Sequence, residues 1–556
     1  MTDLVRAEGT RKVGVLVVGA GFSGMAVGSR LLREGNEDFV IIDRGGEVGG
    51  TWRDNTYPGA ACDVPSHLYS YSFAQEFDWS RSFGTQPEIA DYQRSVAVSE
   101  GLYPYIRFRT DMTDARWDDA AGEWVVTTRD VHREGWERYA ERPTPAGDRT
   151  GAPATASEST APGATAAATA AGTVTTAEPV EGPTTTGRAR ELVLGVGALC
   201  EPRLPDIEGI DGFEGEIFHS ARWNHDVDLK GKRVAVIGTG ASAIQIVPSI
   251  AEEVAHLDVY QRTAPYVIPR LDRPYLGWER GALRSVPGLR RVVRAQDWFF
   301  RELQVPGLTR NAKLMEPIRA LSKGLLFAQV RDKELRRKLT PDHTIGCKRM
   351  LISNTYFPAI ARDDVDLVTD PIRRVNAHSI ETVDGTERPI DVLIVCTGFH
   401  VTDSPTFELV TGRSGETLTE VWGREGMAAH KGTTVHGFPN LSVMMGPATG
   451  LGHSSMIFMI ESQVNYFMSM LAKKRELGAD VAEVTARAQD EWNDWIRERL
   501  TESVWVTGCG SWYLDEHGNA PAVWPSWTWL FRLKTRSFDP GAYDLRISRD
   551  RLLTGV

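Results

Sequence analysis

The sequence predicts an α/β protein with two Rossmann-like nucleotide-binding domains and a helical insertion in the second of them. Two observations predict the paired domains: one glycine-rich turn follows an apolar run near the N-terminus, and another begins at Gly238. A third observation predicts the insertion, because residues 275–340 are largely helical by pattern. At 556 residues the chain is long enough for two or three domains.

Composition excludes several classes of function. The formal net charge of −11 argues against nucleic acid as a partner. The five cysteines lie far apart with no CxxC pair, which argues against a disulfide framework, a zinc site and a dithiol redox enzyme. No apolar run approaches the roughly 18 residues that span a bilayer. We therefore expect a cytoplasmic protein with no metal and no membrane partner.

The first glycine-rich turn has the surroundings that dinucleotide binding requires. It lies between an apolar strand, residues 13–18, and a helical pattern, residues 25–33, and a second strand ends at Asp43. The glycines allow a tight turn and close approach to a pyrophosphate, while Asp43 can accept hydrogen bonds from a ribose diol. A lone GxGxxG is a weak signal, but here strand, helix, strand and acid are in register. The predicted turn contacts are Gly19, Gly21, Phe22, Ser23 and Gly24.

The second turn differs from the first in one informative position. Strand 232–237 precedes it, and strand 257–260 leads to Arg262, at the offset where the first fold has Asp43. A carboxylate suits a bare ribose and would repel a 2′-phosphate, whereas arginine can bind that phosphate bidentately. The first site therefore predicts FAD and the second NADPH, unless Arg262 is only a solvated strand-end charge. The predicted turn contacts are Gly238, Thr239, Gly240, Ala241, Ser242 and Ala243.

The segment 49–63 carries a resemblance to a known family. By pattern alone it could be a surface loop, but proline and glycine bracket several aromatic residues and a carboxylate, which favours a pocket wall. It resembles a fingerprint of Baeyer–Villiger monooxygenases, flavoproteins that insert an oxygen atom beside a ketone carbonyl. The resemblance implies flavin contacts for Asp43, Thr51, Trp52, Asp63, Tyr69 and Met445, and Met112 is a further candidate.

The run 213–223, between the two folds, matches the family pattern FxGxxxHxxxW. Alone it could be a capped turn with a satisfied histidine. One departure is Asn224, where the family generally has proline or aspartate. We expect His219 to couple the two domains by hydrogen bonds and the run to let the NADP domain shift. The pattern residues are Phe213, Gly215, His219 and Trp223.

Lys348 and Arg349 are the remaining charged candidates. Two adjacent cations before an apolar stretch are typical of a solvated strand entrance, but the resemblance implies that Lys348 faces the NADP phosphate and Arg349 the flavin. An always-charged guanidinium there would stabilise a flavin peroxide anion and the anionic tetrahedral intermediate. Asp63 would pair with Arg349 and hold it. The resemblance also assigns Thr263 and Trp512 to NADP, although Trp512 could instead be a buried structural residue.

Composition also predicts the domain boundaries. Residues 141–187 are rich in Ala, Thr, Pro and Gly and predict a disordered insertion. In the helical insertion we expect solvated arginine faces and core positions for the aromatic run 298–300. The predicted order is 1–140 (FAD domain), 141–187 (insertion), 188–228 (FAD domain and linker), 229–390 (NADP domain) and 391–556 (return to the FAD domain and C-terminal segment).

These features predict a flavoprotein monooxygenase that uses FAD, NADPH and O2 to convert a ketone into an ester or lactone. The nearest alternative is a flavin monooxygenase that oxidises nitrogen or sulfur, which needs no peroxide anion. A flavin disulfide reductase is excluded by the missing CxxC. A flavin-binding redox sensor without turnover is a further alternative, which the presence of Asp63, Lys348 and Arg349 disfavours. The ketone and the oligomeric state do not follow from the sequence.

Overall fold

The computed structural model describes residues 11–132, 180–510, 513–515 and 518–548. Its strands are β1 (Arg11–Val18), β2 (Phe39–Ile42), β3 (Ile106–Arg107), β4 (Thr110–Asp118), β5 (Glu123–His132), β6 (Val180–Leu194), β7 (Glu216–His219), β8 (Arg233–Ile237), β9 (His256–Tyr260), β10 (Val267–Ile268), β11 (Leu351–Ile352), β12 (Val365–Val368), β13 (Ile372–Asn376), β14 (Ser379–Thr382), β15 (Glu387–Pro389), β16 (Val392–Val395), β17 (Val410–Thr411), β18 (Leu441–Val443), β19 (Val481–Val484) and β20 (Tyr543–Arg546).

Helices cover both sheets and form the insertion. They are α1 (Phe22–Arg33), α2 (Thr51–Asp54), α3 (Gln86–Ser99), α4 (Ala243–Ile250), α5 (Gly277–Ser285), α6 (Leu289–Glu302), α7 (Val305–Thr309), α8 (Glu316–Gln329), α9 (Lys333–Leu339), α10 (Tyr356–Ile360), α11 (Leu418–Glu425), α12 (Met456–Leu477), α13 (Ala486–Leu500) and α14 (Thr528–Lys534). None of these described helices has the length and apolarity needed to cross a bilayer.

The first sheet has the order β17-β4-β5-β6-β1-β2-β3, and β18 lies beside β6. The predicted strands β1 and β2 are confirmed and pair in parallel, with Val17 opposite Ile41. Their apolar side chains are buried in the domain core, as expected of strands covered on both faces. The turn after β1 and the end of β2 therefore meet at one edge of the sheet.

Strand β6 corrects the predicted boundary of the insertion. It begins at Val180 rather than at Arg188, because residues 180–189 pair antiparallel with β5 and residues 187–194 pair in parallel with β1. A strand needs backbone partners more than apolar side chains, so the threonine-rich residues 184–186 can extend the sheet. The rest of the predicted insertion lies almost entirely outside the described residues.

The second sheet, β12-β9-β8-β16-β7, is entirely parallel. Two of its strands correct the predicted domain boundaries: β7 comes from the run assigned to the linker, and β16 from the segment assigned to the return. The chain returns to the first sheet only after β16, through β17 and β18. Gly215 permits the edge pairing, because a Cβ there would lie 2.5 Å from the Asp391 carbonyl oxygen.

The insertion is helical from α5 to α9, as predicted, but its faces are reversed. Arg294 and Arg301 on α6 point inward and donate to backbone carbonyls of the first domain. Phe299 and Phe300 are exposed, and only Trp298 of the aromatic run packs inward, against Phe458. The expectation of solvated arginines and core aromatics was therefore wrong for this helix, because the carbonyls of residues 63–70 offer the arginines partners that no sequence pattern shows.

Candidate active site

The first glycine-rich turn has the geometry of a pyrophosphate site. Gly19 has a φ of 103°, and a Cβ on Gly24 would lie 1.8 Å from the Gly19 carbonyl oxygen, so neither position accepts a side chain. No side chain caps α1 at Gly21, which leaves the backbone N–H groups of its first turn for an anionic ligand. These features fit the diphosphate of FAD.

Asp43 anchors this turn as well as offering a ribose contact. It is only 7% exposed, and its oxygens accept hydrogen bonds from the backbone N–H groups of Ala20 and Gly45, each at 2.7 Å. Arg53 donates to the same carboxylate at 2.7 Å, a pair that sequence reasoning missed. A carboxylate can accept about four hydrogen bonds, so capacity for a ribose hydroxyl remains.

Loop 49–63 joins the two domains, and its role as a pocket wall stays a prediction. The Trp52 indole N–H donates to the Tyr69 hydroxyl at 2.9 Å, which fixes the aromatic side chains against each other. Gln245 on α4 of the second domain donates to the Ala61 carbonyl at 2.9 Å and accepts from the Tyr57 hydroxyl at 3.1 Å. Thr51, another predicted contact, lies 3.8 Å from the Cys200 sulfur.

The structure brings Arg349 to Asp63, as the sequence predicted. Arg349 Nε donates to Asp63 Oδ2 at 2.6 Å, and Nη1 donates to the Leu451 carbonyl at 3.3 Å. Arg301 on α6 donates to the Asp63 backbone carbonyl at 3.0 Å, so a second guanidinium supports the same residue. Asp63 comes from the first domain and Arg349 from the second, so the pair forms only when the domains meet.

Both members of this pair stay charged. Burial acts to raise the pKa of Asp63, but Arg349 and then Arg301 outweigh it and hold the pKa below its usual value. Burial acts to lower the pKa of Arg349, but Asp63 raises it above the ordinary arginine value. The buried side chain of Tyr513 lies close enough to Arg349 for an electrostatic interaction. The guanidinium is therefore a permanent, fixed positive charge.

The second glycine-rich turn fits an anion in the same way. Gly238 has a φ of 112°, and a Cβ there would lie 2.4 Å from the Cys396 carbonyl oxygen. No side chain caps α4 at Ser242. Gly240 and Ala241 are exposed, and the neighbouring predicted residue Thr239 donates its hydroxyl to the Thr263 carbonyl at 3.2 Å.

Arg262 and Lys348 converge beside this turn. Burial and the neighbouring Arg262 charge both lower the pKa of Lys348, so the two cations are close in space although distant in sequence. Two adjacent cations at the end of a Rossmann-type strand fit a 2′-phosphate. Ala243, the first residue of α4, is buried, as the small-residue requirement predicts.

The run 213–223 is built into the second domain rather than lying between the two. His219 Nδ1 accepts from the Ala221 backbone N–H at 3.1 Å, and its ring meets the edge of Phe399 at 5.5 Å. Burial lowers the pKa of His219 to about 4, so the imidazole is neutral at physiological pH. Trp223 packs against Phe218, with ring centroids 5.0 Å apart. Phe213 is fully buried.

Cys347 and Cys509 form a disulfide, which corrects the expectation that the chain has none. They are 162 residues apart, so no spacing motif announces the pair. Cys347 directly precedes Lys348 and Arg349, and Cys509 lies three residues before Trp512. The bond therefore ties the segment carrying Arg349 to the C-terminal segment. Trp512 lies outside the described residues, and its contact with NADP stays a prediction.

The two methionines differ in position. Met445 follows β18 with a φ of 57°, and its backbone N–H donates to Gln463 Oε1 at 2.9 Å. A non-glycine residue held in this conformation fits a close approach to a ligand. Met112 is buried in the hydrophobic cluster that contains Val18 and Ile42, and its cofactor contact stays a prediction.

Known proteins decide the family. A Streptomyces coelicolor protein named Baeyer–Villiger monooxygenase is 42% identical over 535 residues, covering 96% of this chain and 92% of that protein. The chain belongs to the Baeyer–Villiger monooxygenases. A protein of the same name from Pseudomonas aeruginosa is 40% identical, covering 96% of this chain and 91% of that protein.

Solved structures agree with a Baeyer–Villiger monooxygenase, and two family models match parts of the chain. A steroid monooxygenase bound to NADP is 29% identical with a TM-score of 0.75, covering 96% of this chain and 99% of that one. A cyclohexanone monooxygenase from Rhodococcus sp. Phi1 bound to NADP+ is 26% identical with a TM-score of 0.77, covering 97% and 100%. Residues 17–82 match the NAD(P)-binding Rossmann-like domain, and residues 161–276 match L-lysine 6-monooxygenase/L-ornithine 5-monooxygenase.

Three contacts around the central arginine of this Baeyer–Villiger monooxygenase escaped sequence reasoning. Arg301 donates to the backbone carbonyl of Asp63, and Leu451 accepts from Arg349 through its own backbone carbonyl. Backbone carbonyls carry no sequence signal. Tyr513 directly follows Trp512, the residue that the family resemblance indicated.

Proposed function

We propose that Asp63 and Arg349 are the catalytic centre of an NADPH-dependent Baeyer–Villiger monooxygenase, which inserts one oxygen atom of O2 next to a ketone carbonyl to give an ester or lactone. The observation that supports this most strongly is a partly buried guanidinium held at 2.6 Å by a carboxylate from the other domain. The first nucleotide turn lies in the domain that supplies Asp63, and the second lies in the domain that supplies Arg349. Bound FAD supplies the redox chemistry that activates oxygen.

The role of Arg349 follows from its charge. Oxygen insertion next to a carbonyl requires an anionic oxygen nucleophile, and its attack transfers the negative charge to the carbonyl oxygen of the ketone. A guanidinium that cannot deprotonate stabilises both throughout the reaction. Asp63 positions Arg349 and does not touch the reacting atoms, since its carboxylate already accepts the Arg349 Nε–H.

The remaining site residues bind and orient the nucleotides. The turn 19–24 and Asp43 would hold FAD, and Thr51, Trp52, Tyr69 and Met445 line its surroundings. The turn 238–243, with Arg262, Thr263 and Lys348, would hold NADPH through its 2′-phosphate. We place the enzyme in the cytoplasm, the compartment that supplies NADPH.

The alternative is oxidation of nitrogen or sulfur. The match to lysine and ornithine monooxygenases supports it, but that match covers the second glycine-rich turn, which both enzyme classes share. An enzyme that oxidises amines or sulfides does not need to stabilise an anionic tetrahedral intermediate. The ion pair of Asp63 and Arg349 therefore favours ketones.

Arg349→Ala tests this proposal. Loss of one preorganised charge at the developing oxyanion should lower the rate of ester formation roughly 10²- to 10³-fold. NADPH-driven bleaching of the flavin should continue at a similar rate, because the variant leaves both nucleotide turns intact. Products from a panel of cyclic, linear and steroid ketones are measured by mass spectrometry.

Arg362→Ala is the matched control, because Arg362 pairs with Asp364 on the surface of the second domain and should not affect turnover. Undiminished ester formation by Arg349→Ala would remove this residue from the mechanism. S- or N-oxides from sulfides and amines, with no ester from any ketone, would favour the alternative.

A further inference from the structure

Helix α6 is amphipathic in the reverse of the usual sense, with its cations inside. Arg294 donates to the carbonyls of His67 at 3.0 Å and Leu68 at 3.1 Å, and Arg301 donates to that of Asp63. Arg290 forms an ion pair with Glu76. The polar face of this helix therefore packs against the first domain.

The opposite face of α6 is apolar and exposed. Val292, Phe299 and Leu303 recur at intervals of seven and four residues, which places them on one side of the helix, and Phe300 lies beside them. Phe299 is 55% exposed and Phe300 is 58% exposed. Apolar residues with this spacing usually pack into a core, but in the folded monomer this face of α6 is exposed to solvent.

Neighbouring elements of the insertion repeat the pattern. Trp278 on α5 is 71% exposed, and Phe327 on α8 is 65% exposed. Ten of the twenty exposed large apolar side chains in the described residues lie between 276 and 327, a small part of the chain. We call the following set the insertion face: Trp278, Val292, Phe299, Phe300, Leu303, Leu314, Leu321 and Phe327.

The charge of the insertion is opposite to that of the chain. Residues 277–339 hold fifteen lysines and arginines against six acidic residues, whereas the whole chain has a net charge of −11. The carboxylates of the insertion are engaged, for example Glu316 with Arg319 and Glu334 with Arg337. Among the residues that the structure describes, no ion pair involves Arg291, Arg310, Lys313 or Lys323. Arg291 and Lys313 directly precede members of the insertion face, and Lys323 lies two residues after Leu321.

We propose that the insertion face docks on the surface of an anionic lipid bilayer. Protruding aromatic and aliphatic side chains flanked by unpaired cations are the combination that binds such an interface. This is surface association and not a span. It changes the sequence expectation that no membrane is involved.

A second copy of the chain fits the insertion face less well. A symmetric dimer through it would place two positively charged surfaces against each other. A specific acidic protein would need a shaped recess, whereas these side chains stand half or more exposed. Docking would place the outside of α6 in the lipid surface while its inside contacts Asp63. If the proposed function holds, ketones that partition into lipid would reach the enzyme there.

Vesicle sedimentation of the FAD-loaded enzyme tests the docking. Vesicles of phosphatidylcholine alone are compared with vesicles that also contain phosphatidylglycerol, without NADPH or ketone, so the result does not depend on turnover. Binding to the anionic vesicles only, weakened by salt, is expected. Equal binding to both kinds of vesicle, or binding to neither, would overturn the proposal.

Two double variants locate the surface. Phe299→Ser with Phe300→Ser should lower partitioning by more than about tenfold, and Lys313→Ala with Lys323→Ala should lower it about fivefold for each cation. Val383→Ser with Leu477→Ser, at exposed apolar positions outside the insertion, should bind as the parent does. Flavin absorbance and NADPH-driven reduction report intact folding in each variant.

Equal losses in the control and the insertion variants would overturn the assignment of the surface. Sedimentation velocity tests the remaining possibility, that a second copy of the chain covers the insertion face. A dimer that dissociates in the phenylalanine variant, with no vesicle binding by the parent, would show that a second copy covers the face instead.

Discussion

The two nucleotide-binding domains share a motif but differ in how their sites are enclosed. At the first, Asp43 is buried, is held by Arg53 and two backbone N–H groups, and lies under loop 49–63. At the second, Gly240, Ala241 and Arg262 are exposed. The same strand-turn-helix unit therefore forms a closed site in one domain and an open site in the other.

This difference matches what the two cofactors must do. A nucleotide that is exchanged in each turnover needs an open site, whereas one that is retained can occupy an enclosed site; we therefore expect FAD at the first site and NADP at the second. The ion pair of Asp63 and Arg349 joins the two sides, because Asp63 belongs to the closed side and Arg349 to the open side.

Loss of the buried anchor should break the closed site most severely. Asp43→Ala leaves Arg53 and two backbone N–H groups without this partner, at a cost of about 3–5 kcal/mol. We expect purified protein with little bound flavin and a lower melting temperature, measured by absorbance and differential scanning fluorimetry. Asp38→Ala is the matched control, because Asp38 pairs with Arg190 on the surface. Normal flavin content in Asp43→Ala would contradict the comparison.

The edge strand of the open domain should make the protein sensitive to acid. The folded-state pKa of His219 is about 4 against an ordinary 6.5, so the unfolded chain takes up a proton first as the pH falls. Stability is thus complete above pH 6.5 and falls by about 3 kcal/mol towards pH 4. His219→Asn keeps an acceptor for Ala221 but cannot titrate. Plots of melting temperature against pH should therefore differ in slope between the two proteins across this range. Parallel plots would refute the assignment.

Removing the open site's cation should affect NADPH and leave FAD alone. Arg262→Ala deletes a charged contact to the 2′-phosphate, which should raise the KM for NADPH about 10- to 100-fold and change the KM for NADH little. Flavin content should equal that of the parent. A similar rise for NADH would mean that Arg262 acts on something other than the phosphate.

Breaking the disulfide should have the smallest effect. Cys509→Ser frees the C-terminal segment from the segment that carries Lys348 and Arg349, so binding NADP must order more chain. We expect a rise in the KM for NADPH of less than about tenfold, reproduced in the parent by a dithiol reductant. Cys200→Ser is the control, because Cys200 is not disulfide-bonded. A reductant effect that persists in Cys509→Ser would exclude the disulfide as its cause.

Sequence reasoning succeeded where a local pattern specifies geometry. The turns at Gly19 and Gly238 need glycine for their positive φ, and the flanking strands announce themselves by apolar runs. The pairing of Asp63 with Arg349 was also predicted, but only because a family resemblance connected residues 286 positions apart.

It failed where the partner is distant or is a backbone atom. Residues 180–187 joined a sheet through backbone hydrogen bonds, and β7 and β16 joined the second sheet by edge pairing. Arg294 and Arg301 turned inward towards carbonyl oxygens, which reversed the predicted faces of α6. Backbone acceptors are the same at every residue, so no side-chain pattern reveals which of them an arginine will reach.

The sequence by itself determined the two Rossmann-type folds and the acid and arginine at matching offsets in them, and through the family resemblance it predicted the pairing of Asp63 with Arg349. Only the tertiary structure decided which site is closed, where the domains divide, that Cys347 bonds Cys509, and which face of α6 meets solvent. The first set depends on conformations and charges that each short segment carries with it. The second depends on which distant surfaces pack together, and that follows from the free energy of the whole chain.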